Sequence, residues 1–86
     1  MTLRLTPADR FVLLELRSAG AVLGPSAVKA APLGLSTMTL GRLRKHGLVE
    51  SERRAEGIGY ERRYHTVYWL TPEGHTMAGQ LDDEAG

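Results

Sequence analysis

The sequence predicts a small α+β domain built on a single core, with three helices and a short strand ahead of a β-hairpin and a fourth helix behind it. Three observations carry that expectation. Thr6-Pro7-Ala8-Asp9 and Thr71-Pro72-Glu73 place the same helix-start chemistry towards both ends of the chain: a capping hydroxyl, a proline at the first helical position and an acid in the first turn. Ser36 and Gly47 bracket a short helical stretch in the middle, as an N-cap and a left-handed C-terminal glycine would. Beyond it, two β-prone runs are separated by Gly57 and Gly59, which permit a tight reversal.

The chain of 86 residues is of one-domain size. It has no cysteine, so neither disulfides nor a Cys-ligated zinc can staple it, and the apolar core must hold it together. No apolar run approaches the roughly 20 residues that cross a bilayer. The opening MTLRLTPADR has no apolar signal segment, so a soluble, cytoplasmic protein is expected. Charge is uneven. Between Lys29 and His65 eight lysines and arginines meet four glutamates, whereas the remainder holds three arginines against six acids. Cationic surface thus gathers around the central helix and the hairpin region after it, the distribution that a nucleic-acid footprint needs.

Taken in order, the first helix is expected over 7–18, with Ala8, Phe11, Val12, Leu14 and Leu16 as a broad apolar stripe and Ser18-Ala19-Gly20 as its end. Arg10, Glu15 and Arg17 read as its solvated side. Ala21-Val22-Leu23 is long enough for one small strand, 21–23. A second helix is expected over 25–31, burying Ala27, Val28 and Ala30, and Pro32-Leu33-Gly34 reads as the turn at its end. Two short helices joined by a tight glycine-containing turn match a helix-turn-helix.

The third helix, 36–46, is the stretch around which the rest is organised. At about 100° per residue, Leu40 and Leu43 share one side with Ser36 and Gly47 near it. Leu35 and Leu40 can close a hydrophobic staple around the cap. Met38, Gly41, Arg42 and Lys45 lie opposite, with Thr37 and His46 on the flanks. That outer face suits a DNA major groove. Arginine can bond guanine bidentately, threonine and methionine can touch a thymine methyl, and lysine can neutralise phosphate. Gly41 costs about 1 kcal/mol of helix propensity relative to alanine, but brings the backbone close to a partner. An ordinary amphipathic helix with a solvated basic face would look the same, so the flanking sequence decides.

The hairpin is expected over 48–70, with a turn at Glu56-Gly57-Ile58-Gly59 and a returning strand from Tyr60. Tyr68 and Leu70 are assigned to the core and Trp69 to the opposite face. Arg53 and Arg54 on one strand and Arg62 and Arg63 on the other can reach phosphates or a minor groove. They could equally protect an edge hairpin from aggregation, with Glu52, Glu56 and Glu61 partly neutralising them. The fourth helix is expected over 72–81, with Met77, Ala78 and Leu81 as a narrow apolar seam, and 82–86 as a frayed acidic tail.

In this order the elements resemble a winged helix-turn-helix domain. LGRLRKHGLVE, beginning at Leu40, is similar to the end of the recognition helix in MarR- and PadR-type bacterial transcriptional regulators. YWLTPEG, beginning at Tyr68, resembles their wing-to-helix junction, and LTPADRFVLLEL their start, so that the likeness covers about residues 5–81. The resemblance implies a sequence-specific double-stranded DNA-binding regulator, commonly a homodimer joined through its terminal helices. The short fourth helix departs from that pattern, so no dedicated small-molecule effector pocket is expected; the size would suit a phage- or plasmid-type repressor or accessory factor.

On that basis Thr37, Met38, Gly41 and Arg42 are the expected base-contacting positions, and Ser36, Lys45, Arg53, Arg54, Arg62 and Arg63 the expected backbone contacts. The competing expectation is a protein-interaction module that uses Ile58, Tyr60 and Trp69, with Tyr64 nearby, because exposed aromatics mark interaction sites. An enzyme is not expected: no nucleophile elbow, phosphate-cradling glycine loop or paired-carboxylate spacing is present. His46, His65 and His75 have no metal-ligand spacing, so neither a metal nor a cofactor is expected.

Overall fold

The computed structural model describes residues 4–22 and 26–85. Helix α1 (Pro7–Ser18) starts as its chemistry dictates. The Thr6 hydroxyl accepts the Asp9 amide at 3.1 Å and Asp9 Oδ2 accepts the Thr6 amide at 2.8 Å, a reciprocal capping box. Val12, Leu13 and Leu16 fill its buried side. The expected stripe is corrected here. Phe11 and Ala8 are exposed and Leu14 is half-buried, while Leu13 is fully enclosed. The stripe is wider than one neighbouring layer can cover, and Phe11 lies about 150° from the middle of the face that is covered.

After α1 the expected short strand does not form over the described part of 21–23, and Leu23 lies outside the described residues. The Ala21 carbonyl accepts one hydrogen bond, from the Leu70 amide at 2.6 Å. The real pairing falls later, at Val28, which exchanges two hydrogen bonds of 3.0 and 2.8 Å with Tyr68. That bridge needs extended backbone where a helix over 25–31 was expected. Helix α2 therefore begins only at Ala30 and is short, Ala30–Leu33; Pro25 lies outside the described residues. Pro32 sits inside it without cost, because amides in a first helical turn have no internal acceptor.

Helices α2 and α3 (Thr37–Lys45) end alike. Gly34 and Gly47 are left-handed, with φ of 66° and 77°. The next amides, Leu35 and Leu48, bond back to the Ala30 and Leu43 carbonyls at 3.0 Å, the Schellman closure. Ser36 caps α3 by accepting the Thr39 amide at 3.3 Å, and Leu40 and Leu43 are completely buried.

Strands β1 (Val49–Glu56) and β2 (Arg63–Leu70) pair antiparallel, from Val49↔Leu70 at the root to Glu56↔Arg63 at the far end. The returning strand begins three residues later than expected, because Gly59–Glu61 forms a 3-10 turn rather than strand. Leu70 is enclosed and Tyr68 half-buried, as assigned. Trp69, on the other face of the ribbon, is nevertheless half-buried and packs against the core.

Helix α4 (Pro72–Ala85) runs through the stretch expected to fray. Arg17 Nη1 meets Asp82 Oδ2 at 2.9 Å, tying that last turn to α1, against which Ala78 and Leu81 are buried. The result is a small α+β domain with four α-helices and a two-stranded sheet among the described residues, an arrangement compatible with a wing beside a helical core. Among them no helix is long and apolar enough to cross a membrane.

Candidate nucleic-acid interface

Two leucines orient α3. With Leu40 and Leu43 locked in the core, Ser36, Thr37, Met38, Gly41, Arg44 and Lys45 are left in solvent, and Met38 is 84% exposed. Nothing stands over Gly41, since a Cβ built there would meet no atom within 4 Å. Lys45 has no ion-pair partner among the described residues. Gly41, Arg44, Lys45 and Glu50 line a shallow depression between the C-terminal half of α3 and the start of β1. Arg44, which sequence reasoning passed over, lies on its wall with Nε 3.2 Å from Glu50 Oε1. The available signal was the reversal at Gly47, which folds Glu50 back beside the helix.

Arg42 departs from the expectation of a base-reading side chain. Its Cα lies on the outer side, but its guanidinium reaches towards α1: Nη1 is 3.3 Å from Asp9 Oδ2, and Nη2 donates to the Arg4 carbonyl at 3.2 Å. Asp9 is 1% exposed, and its other oxygen, Oδ1, has no hydrogen-bond partner. The Asp9 carboxylate thus serves two purposes, capping α1 and receiving Arg42. A buried carboxylate deprived of its cation is costly, so this pair holds α3 against the start of α1.

The four hairpin arginines do not form one patch. On one face of the ribbon charges are spent internally: Arg54 Nε meets Glu52 Oε2 at 2.9 Å, and Glu56 Oε2 receives Lys29 at 3.3 Å and faces His65 at 3.6 Å. On the other face the Arg53 guanidinium stacks over the Tyr64 ring, 4.8 Å from its centroid. Arg62 and Arg63 are exposed towards the tip, Arg63 lying opposite Glu56 on the first face, and no described carboxylate forms an ion pair with Arg53, Arg62 or Arg63. Ile58 and Tyr60, at 92% and 108% exposure, form the tip.

The three histidines stay apart, and among the described residues no group of acidic or histidine side chains could hold a metal ion. Compared with known proteins, the chain matches no described protein family, no curated protein and no solved structure.

Proposed function

We propose that the domain is a winged helix-turn-helix module of a transcriptional regulator that binds double-stranded DNA, with α3 in the major groove and the β1–β2 hairpin as the wing. One observation supports this above the others: the outward face of α3 is uncommitted while its inner side is fastened. Thr37, Met38, Gly41 and Lys45 are exposed on a helix whose position is set by Leu40, Leu43 and the Arg42–Asp9 pair. A rigidly held helix with a free face is what base-edge recognition needs, because a loosely held one would lose register between neighbouring base pairs.

Thr37 and Met38 are the base readers in this proposal, and Gly41 lets the backbone approach. Ser36 and Lys45, at the two ends of α3, meet phosphates there, and Arg53, Arg62 and Arg63 meet them from the wing. Arg42 enters as the residue that fixes α3. A homodimer through α1 and α4 belongs to the same proposal and draws support from Phe11, which is 50% exposed on α1.

Selection of bound duplexes from a random DNA pool tests it. A recurring short sequence whose preferred bases change in Thr37→Ala or Met38→Ala is expected. A pool without enrichment, from protein that is demonstrably folded, contradicts it.

A second reading has its own observation. Ile58 and Tyr60 are exposed apolar side chains that a protein partner could cover. Trp69 gives it little, since its side chain is partly buried against the core. A stable protein complex lost in Ile58→Ser, with α3 variants neutral, would favour this alternative.

A further inference from the structure

We infer that the hairpin tip is an apolar wedge for the DNA minor groove, in which Ile58 and Tyr60 lever apart a base step while the neighbouring arginines hold the two backbones; this rests on the DNA-binding proposal above. Single exposed apolar side chains are ordinary on a protein surface. Here two of the most exposed in the described chain stand two residues apart at the end of a ribbon. The loop presents them. Gly57 and Gly59 take φ of 99° and 64°, a 3-10 turn forms at Gly59–Glu61, and the Arg62 amide closes it on the Gly59 carbonyl at 3.3 Å. A loop shaped to hide Ile58 would fold it back on the ribbon; this one directs it into solvent.

Charge identifies the occupant. Exposed Arg62 and Arg63 follow the tip, with Glu61 standing between Tyr60 and Arg62 in the chain, and Arg53 lies behind it over Tyr64, so three cations attend the tip against Glu61 and Glu56. Glu56, the acid on the approach to the tip, is already shared by Lys29 and His65. An apolar point with cations on its flanks complements a ligand whose interior is apolar and whose two rims are anionic. A minor groove between phosphate backbones has that form, and apolar side chains inserted there unstack a step and kink the duplex by about 20–90°. The step best suited is a flexible pyrimidine–purine one, so the tip would add a preference at base pairs that α3 never touches.

Energy-transfer measurement of end-to-end distance tests this on labelled duplexes carrying the selected site with a TA or an AA step under the wing. Wild-type protein is expected to shorten the TA duplex more than the AA duplex. Ile58→Ser with Tyr60→Ser is expected to abolish the bend and the step preference and to weaken binding roughly tenfold, leaving the bases chosen through Thr37 and Met38 unchanged. Both positions are solvent-exposed, and unchanged thermal melting of the double variant confirms that folding is intact. An unbent wild-type complex, or a bend that survives in the double variant, overturns the wedge and leaves DNA binding standing. Wild-type protein that retains no duplex overturns both. Binding to anionic phosphatidylserine vesicles that needs Ile58, with no effect of Ile58 on duplex bending, assigns the tip to a lipid surface and overturns the wedge as well.

Discussion

The two ends of the β1–β2 hairpin are built on opposite principles. At the root, four elements are knotted together. The Thr71 hydroxyl donates to the Gly47 carbonyl at 2.6 Å and accepts the Gly74 amide at 3.0 Å, and the Thr71 amide bonds the Leu48 carbonyl at 3.2 Å. One threonine thereby joins the exit of α3, the entry to β1, the end of β2 and the cap of α4. Val49 and Leu70 close the knot from the core side. At the tip, Ile58 and Tyr60 meet solvent and the backbone is held by its own turn. The root fixes where α3 sits, and the tip contributes nothing to that. Residues that fold this domain and residues proposed to touch a partner are therefore largely separate sets, and Arg42, although its Cα lies on the outer side of α3, falls in the first.

The separation can be broken by mutation, most severely at the root. Leu43→Ala empties a completely enclosed position, and a loss of about 2–5 kcal/mol in denaturant unfolding is expected. Gly74→Ala comes next. A Cβ there would run into the Leu48 carbonyl, so the α4 cap must move off the root, at a cost of about 2–4 kcal/mol despite alanine's better helix propensity. A variant with unchanged unfolding would show that the two backbones do not need their close approach.

Arg42→Met sharpens the comparison, because it tests whether an outward-placed cation belongs to the folding set. A loss of about 1–3 kcal/mol is expected, largely recovered when Asp9 is also replaced by Asn, since the penalty is the stranded carboxylate. Additive single losses would return Arg42 to the solvated face. The Arg17–Asp82 pair, by contrast, is partly exposed on both sides, and Asp82→Ala should cost no more than about 1 kcal/mol, seen as faster amide exchange in the last turn of α4. Smallest of all, Ile58→Ser should leave unfolding unchanged within about 0.5 kcal/mol.

The same division explains what was legible in the sequence. Elements whose ends are set by neighbours in the chain were readable: the Thr6 cap, the Ser36 cap, the Gly47 stop and the Thr71-Pro72 start all lie where local chemistry puts them. Elements decided by distant partners were not. Helix α2 starts late because Val28 is claimed by Tyr68, forty residues away along the chain. The end of α4 stays helical because Asp82 finds Arg17. A helical wheel gives the direction of the Arg42 Cβ and says nothing of where a long flexible stem delivers its guanidinium. Conversely, nothing local in the sequence singles out Gly74, and only its approach to Leu48 reveals why a side chain is excluded. On the hairpin, four arginines looked equivalent until strand alternation set Arg54 beside Glu52 and the pairing of β1 with β2 brought Arg53 over Tyr64.

The central proposal is that the solvent-facing side of α3 meets a duplex, and Lys45 is its simplest probe, being exposed and without an ion-pair partner among the described residues. Fluorescence anisotropy of a labelled duplex, titrated with wild-type and Lys45→Ala protein over a series of salt concentrations, measures this directly. Wild-type affinity is predicted to fall steeply with salt, and the variant to bind more weakly with a log–log slope shallower by about one. Affinity indifferent to salt, or equal slopes for the two proteins, would contradict it.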